Sequence, residues 1–279
     1  MRVLVYGTGI MGKGITQLMI QNNHYVYWYN PEISSTKEAI KSLSNKYDKL
    51  IAKEKITEMH KKSFMSNIEV VESLSGLSGL SLAIEAVTED IGLKKSVFIE
   101  MDKSLNRETI LASNTSSLSI TQLALVTSRP EKVLGMHFFN PAPIMELVEI
   151  IAGTTTSPET ISSMIDFCQS MGKKPVYVKE SPGFIVNRML VPMINEAIAI
   201  LSEGVAKATD IDIAMMSGAN HPIGPLALAD LIGLDVCLNI MDILHSELRE
   251  DKYKAHPTLR KMVKDNKMGR KTFEGFYIY

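Results

Sequence analysis

The run from Gly135 to Glu149 (Gly-Met-His-Phe-Phe-Asn-Pro-Ala-Pro-Ile-Met-Glu-Leu-Val-Glu) sets the imidazole of His137, the carboxamide of Asn140 and the carboxylate of Glu149 into a largely apolar segment. Such groups are costly to bury unless they bond to each other or to a ligand. His137 and Glu149 flank the Pro-containing turn that carries Asn140, and can meet as a proton-transferring base and the group that orients it. A carboxylate on one ring nitrogen fixes the tautomer and raises the basicity of the other. Taken alone, the same residues also suit a buried pair with a structural job.

The elements around this run decide between the two. Arg2 to Tyr6 reads as a short buried strand. Gly7-Thr8-Gly9-Ile10-Met11-Gly12 follows it, and Ile15, Leu18 and Met19 then recur at helical spacing. Tyr25 to Tyr29 is a second strand, closed by Asn30-Pro31. This β-α-β unit places Gly7, Gly9 and Gly12 where a dinucleotide fingerprint must sit, at the head of a helix. The first glycine serves the tight turn, the second the approach of the pyrophosphate, the third the packing of helix on sheet; Ile10 and Met11 lie between them, at the helix N-terminus. The fingerprint expects an acidic residue on the adenosine ribose at the end of the second strand, and Asn30 occupies that place. An amide does not repel a 2′-phosphate as a carboxylate would, but no Arg follows to grip one, so NAD is expected and NADP is left open.

Residues 35–62 read as a polar-faced helical hairpin. Strands follow over 68–71, 82–86, 110–113, 133–137, 146–150 and 174–178, with helical patterns between most of them. The alternation predicts an α/β fold: a doubly wound, mostly parallel Rossmann-type sheet, followed by an all-helical C-terminal domain. Ser181-Pro182-Gly183 marks the expected boundary, giving a dinucleotide-binding domain over 1–183 and a helical domain over 184–279. Helices are expected over 184–203, 208–216, 226–248 and 259–264, with one closing strand at 276–278. Ser113-Asn114-Thr115-Ser116-Ser117 and His137 fall at strand ends, on the edge where open α/β proteins bind ligands; Ser116 or Ser117 can also cap a helix from Leu118 onward. Asn187 adds an amide in the first turn of the helical domain.

Composition narrows the class. The chain has 279 residues, 45% of them hydrophobic, and 30 Lys and Arg against 31 Asp and Glu, so no overall field favours nucleic acid or an acidic membrane surface. The cluster Arg260-Lys261-Lys264-Lys267-Arg270-Lys271 is interleaved with acids and reads as a solvated face. Cys168 and Cys237 form neither a disulfide framework nor a metal site, and no metal is expected. His24, His60, His245 and His256 sit in polar or loop-like contexts and read as surface groups. With no signal peptide and no apolar run of membrane length, a soluble cytoplasmic protein is expected.

The order Gly-x-Gly-x-x-Gly, Ser-Asn-Thr-Ser-Ser, His-Phe-Phe-Asn-Pro, Pro-Gly-Phe-Ile-Val-Asn-Arg and Gly-Ala-Asn-His-Pro-Ile-Gly-Pro-Leu closely resembles the 3-hydroxyacyl-CoA dehydrogenase family, nearest its stand-alone bacterial 3-hydroxybutyryl-CoA members. The resemblance runs end to end. It implies an NAD-binding domain, a helical domain that binds substrate and forms a homodimer, and an acyl-CoA substrate. It makes His137 the catalytic base and Glu149 its partner. Ser116, Asn140 and Asn187 match positions around substrate and nicotinamide, and Glu89, Lys94 and Lys271 match cofactor contacts. Ser42 and Lys49 match positions near the CoA moiety. Two departures stand out: Asn30 replaces the family's Asp, and Phe273 stands where the closing motif reads Gly. A dehydrogenase of a non-CoA hydroxy acid (sugar acid or carnitine type) and a non-catalytic dinucleotide-binding protein are the alternatives.

Overall fold

Val3, Leu4 and Val5 are sealed from solvent because their strand, β1 (Arg2–Tyr6), lies inside an eight-stranded sheet. The computed structural model describes Met1–Tyr279 as two compact units, Met1–Ser181 and Pro182–Tyr279. In the first, β1 leads through α1 (Ile10–Gln21) to β2 (Tyr25–Tyr29), then to α2 (Ile33–Ile51), α3 (Glu58–Met65) and β3 (Ile68–Val70). There follow β4 (Leu80–Glu85), α4 (Ile91–Ser104), β5 (Ile110–Ser113), α5 (Ile120–Ala124), β6 (Val133–Phe138), β7 (Leu147–Ala152), α6 (Pro158–Ser170) and β8 (Lys174–Lys179).

The strand order is β3-β2-β1-β4-β5-β6-β7-β8, the doubly wound arrangement expected from the alternation of strands and helices. Strands β1 to β6 run parallel, so their carboxyl ends share one edge. The exception is β7. Its connection from β6 is too short to hold a crossover helix, so it returns antiparallel; α6 is long enough, and β8 pairs parallel to β7. Val5, Ile15, Trp28, Ile84, Leu134 and Val148 belong to one buried cluster between the sheet and its helices. Helix α2 joins it through Ala39, Leu43 and Tyr47, spaced four apart on one face.

The second unit is helical: α7 (Val186–Ser202), α8 (Ala208–Gly218), α9 (Pro225–Ile232), α10 (Leu234–Leu248) and α11 (Pro257–Lys264) around Ile194, Ile198, Leu226, Cys237 and Leu244. Two local expectations fail here. The helix read over 226–248 is two helices, because Gly233 takes φ +104, which a right-handed helix cannot continue. The closing strand at 276–278 is reduced to isolated bridges, Gly269 with Glu274 and Glu274 with Ile278. The backbone N–H groups of Phe276 and Tyr277 go instead to the buried carboxylate of Asp230, at 3.0 and 2.9 Å.

Three of the histidines read as surface groups have local work. His24 is half-buried against the Phe167 ring at 5.0 Å. His60 completes a capping box with Thr57 at the start of α3, and His256 caps α11 by accepting the Thr258 N–H at 3.2 Å. Cys168 and Cys237 are free and buried, and burial pushes each thiol up to about 12, so neither is a reactive thiolate at neutral pH. No helix is long and apolar enough to cross a membrane. The basic cluster is interleaved with ion pairs: Arg260 with Asp242, Lys271 with Asp235, and Lys267 with Glu274 at 2.5 Å.

Candidate active site

The glycine turn after β1 has the form a dinucleotide needs. Gly7 takes φ +118, and a Cβ there would lie 2.5 Å from the Ala86 carbonyl oxygen at the end of the neighbouring β4. A Cβ on Gly12 would collide with the Gly7 carbonyl, so the third glycine lets α1 settle on the turn. A Cβ on Gly9 meets nothing within 4 Å. Gly9 is also the N-cap of α1, and no side chain caps that helix. An open approach to a helix start without a side-chain cap, with Ile10 and Met11 in its first turn, fits a bound pyrophosphate. The turn is anchored from below by the buried Trp28, whose Nε1 donates to the Gly7 carbonyl at 2.9 Å. By sequence pattern Trp28 is simply one residue of a strand, and only the fold brings its ring under the turn.

Beside this turn, a buried ionic network ties the ends of β4 and β5. The Lys94 ammonium, 1% exposed, lies 2.7 Å from Glu85 and 3.3 Å from Glu89. Glu85 is fully buried and also accepts from the Ser113 hydroxyl at 2.6 Å and the Val87 N–H at 2.6 Å. Glu89 Oε1 accepts from the Thr115 hydroxyl at 2.6 Å and from the Ser116 N–H at 2.8 Å and hydroxyl at 3.1 Å. Burial works to raise the Glu89 carboxyl, but the Lys94 charge and these hydrogen bonds outweigh it and hold the group below its ordinary value. Three sequence candidates, Glu89, Lys94 and Ser116, thus meet in one network. Glu85 and Thr115 complete it. A Glu ending an apolar strand run was the available signal for Glu85.

The cap expected at Ser116 or Ser117 is displaced. Ser119 caps α5 by accepting from Gln122, while the Thr115 hydroxyl accepts from Leu118 at 2.9 Å. Asn114, just before Thr115, accepts the Phe138 N–H at 3.0 Å and so links the end of β5 to the end of β6.

His137 and Glu149 are direct partners in the β6–β7 ladder, with His137 Nδ1 2.7 Å from Glu149 Oε2 and both residues buried. Facing a carboxylate, Nδ1 carries the proton and donates it; in the neutral ring the lone pair then belongs to Nε2. The Phe139 ring packs on the imidazole at 4.4 Å between centroids. Asn140 begins the exposed loop between the two strands, where the Asn140–Pro141 peptide is cis. The buried Lys173 holds this loop, donating to the carbonyls of Ala142 at 2.7 Å and Met145 at 2.8 Å.

Asn30 follows β2 at the same sheet edge. Ser42 and Lys49 line a pocket along α2 together with Glu38, Lys41, Asn45 and Lys46. Three ammonium groups around one depression suit an anionic ligand. Lys46 also donates to Gln17 at 2.6 Å. In the second unit, Asn187 sits in the first turn of α7, and Lys271 pairs with Asp235 beside Gly233. Phe273 is 70% exposed and takes φ +60, a conformation that glycine adopts without strain.

Residues 2–181 match the family description "3-hydroxyacyl-CoA dehydrogenase, NAD binding domain", and residues 183–279 match "3-hydroxyacyl-CoA dehydrogenase, C-terminal domain". The chain is 48% identical over 279 residues to 3-hydroxybutyryl-CoA dehydrogenase of Clostridioides difficile, covering 100% of this chain and 99% of the relative. It is 40% identical to the mitochondrial hydroxyacyl-coenzyme A dehydrogenase of Homo sapiens, over 99% of this chain and 90% of the relative. Among solved structures, (S)-3-hydroxybutyryl-CoA dehydrogenase from Ralstonia eutropha superposes with a TM-score of 0.96 at 44% identity, covering 100% and 98% of the two chains.

Proposed function

The chain belongs to the 3-hydroxyacyl-CoA dehydrogenase family, and on that premise we propose that it interconverts a short-chain 3-hydroxyacyl-CoA and its 3-oxoacyl-CoA through His137 and Glu149. The cofactor is NAD, bound by the N-terminal unit. The observation that carries the catalytic reading is the 2.7 Å contact of His137 with Glu149, buried near the carboxyl edge of a parallel sheet whose first turn is open to a dinucleotide.

When bound, the nicotinamide supplies hydride transfer at C3 of the substrate. In oxidation, His137 Nε2 takes the proton of the 3-hydroxyl, and the Glu149 carboxylate stabilises the imidazolium that forms. In reduction, His137 returns that proton to the carbonyl oxygen. Ser116, held by Glu89, and Asn187 are assigned to the C3 oxygen, and Asn140 to the cofactor or the thioester. Glu89, Lys94, Lys271 and the glycine turn are assigned to the cofactor. The Lys41, Lys46 and Lys49 ammonium groups near Ser42 are assigned to the phosphates of CoA, a role their common pocket supports. A homodimer formed through the helical unit and a cytoplasmic location complete the reading; exposed Met189, Val205 and Ile213 support the first.

The test is NADH oxidation with acetoacetyl-CoA set against free acetoacetate. Turnover with the thioester and little with the free acid supports the assignment. Efficient turnover of free acids, with no gain from CoA, would establish instead a dehydrogenase of a non-CoA substrate.

A further inference from the structure

Residue 30 is where a Rossmann-type site reads the adenosine ribose, and here it carries no charge. Its carboxamide is already engaged on both sides: Asn30 Nδ2 donates to the Thr8 hydroxyl at 3.1 Å, and Asn30 Oδ1 accepts the Glu32 N–H at 2.9 Å. The second contact folds Asn30-Pro31-Glu32 into a tight turn of the kind Asn side chains make with the backbone two residues on. That turn fixes Glu32 beside residue 30, as the N-cap of α2. The Glu32 carboxylate is exposed but not loose. One oxygen accepts from the Ser34 hydroxyl at 3.0 Å and the other from the Ser35 hydroxyl at 3.1 Å.

From these contacts we propose that Glu32 is the specificity-determining residue that excludes a 2′-phosphate, taking over the task that an acidic residue 30 performs elsewhere in this fold. The inference rests on the dinucleotide-binding reading of the Gly7 turn. Asn30 can exchange hydrogen bonds with ribose hydroxyls yet repels nothing, so discrimination needs a fixed negative charge close by. Glu32 supplies it, held by two hydroxyls and a backbone turn. The partly positive start of α2, which would otherwise favour a phosphate, already has this carboxylate on it. The first cation along this segment is Lys37, a full turn into the helix. Like charges a few ångströms apart in water repel weakly and a phosphate carries nearly two, so the expected effect is on the order of tenfold in Kd.

The experiment is equilibrium titration of the full chain with NADH and with NADPH, read by ligand fluorescence, for wild type, Glu32→Gln and Asn30→Asp. Glu32→Gln keeps the side chain's shape and removes its charge. Wild type is expected to bind NADH more tightly. Glu32→Gln is expected to bind NADPH about tenfold more tightly than wild type does, with NADH affinity within about twofold. Raising salt from about 0.05 M to about 0.5 M should shrink the wild-type preference and leave the variant's ratio nearly flat, because exposed charges are screened. In Asn30→Asp, the restored carboxylate should widen the preference for NADH. An NADH-to-NADPH ratio unchanged by Glu32→Gln overturns the proposal while leaving the cofactor site intact. A wild type that binds both equally also overturns it. A wild type that binds neither overturns the dinucleotide reading and this inference together.

Discussion

His137 stands directly opposite Glu149 across the antiparallel β6–β7 ladder, and strand register sets the 2.7 Å contact between them. Facing residues on one side of such a pair have Cβ atoms about 4.5–5.5 Å apart, within reach of an imidazole and a carboxylate. A slip of one residue would turn one of the two side chains to the opposite face. Rigid strands rather than a loop therefore hold the pair, and the loop between them is left to carry Asn140.

General-base assistance of this kind is worth about 10²–10⁴-fold in rate. His137→Gln is expected to lose that much in kcat while NADH affinity, measured by fluorescence titration, stays within about threefold. Wild-type-like turnover in this variant would remove His137 from the mechanism.

Glu149→Gln keeps a hydrogen-bonding partner for Nδ1 but removes its charge, so the imidazolium loses its counter-charge. The variant is expected to show a lower kcat and a displaced pH–rate profile. A lower kcat with an unmoved profile would make Glu149 a packing residue.

The Glu89 carboxyl is held below its ordinary value despite burial, because Lys94, Thr115 and Ser116 favour its charged form. A carboxyl depressed in the folded state contributes stability that is fully present above its unfolded value, near 4.5, and is lost as pH falls through the folded value. Wild type should therefore lose stability on acidification below about pH 4.5, and Glu89→Gln should lose less of it over the same range. Denaturant midpoints measured at several acid pH values read the difference in slope. Equal slopes would show that Glu89 does not contribute this linkage.

Lys173 satisfies loop carbonyls that no apolar side chain can satisfy. Lys173→Met is expected to destabilise the protein by about 1–3 kcal/mol, the cost of leaving the buried Ala142 carbonyl and the part-buried Met145 carbonyl without their charged donor. It should also weaken NADH binding if Asn140 contacts the cofactor. Lys173→Arg should restore part of both. Denaturation and NADH titration of the two variants test this directly.

Phe273 holds a left-handed conformation at φ +60 while exposing most of its ring. Strain of this kind costs about 1–2 kcal/mol, partly offset by the greater unfolded-state freedom of glycine. Phe273→Gly should raise stability by about 1 kcal/mol and the melting temperature by a few degrees. A lower melting temperature would mean that the ring supplies packing worth more than the strain.

The chain alone specified the alternation of strands and helices, and with it the doubly wound fold class, because strand and helix periodicities and glycine turns are local signals carried within a few residues. It also marked Gly7, Gly9 and Gly12, and it marked His137 and Glu149 as polar groups in an apolar run. Where local signals competed, tertiary structure decided. Gly233 breaks a pattern that reads as one helix because the backbone there must turn with positive φ. Phe276 and Tyr277 give their N–H groups to Asp230 rather than to a strand ladder. The Glu85–Lys94–Glu89 network joins β4, α4 and the loop after β5, and no spacing rule within one segment specifies it. The same holds for the charge at the ribose end of the site. Glu32 is visible in the chain as one more acidic residue, but only the folded turn shows Asn30 holding its backbone and Ser34 and Ser35 holding its carboxylate. Contacts within a segment follow from its periodicity. Contacts between segments depend on which strands pair, in which direction and in which register, and these are settled only when the core closes.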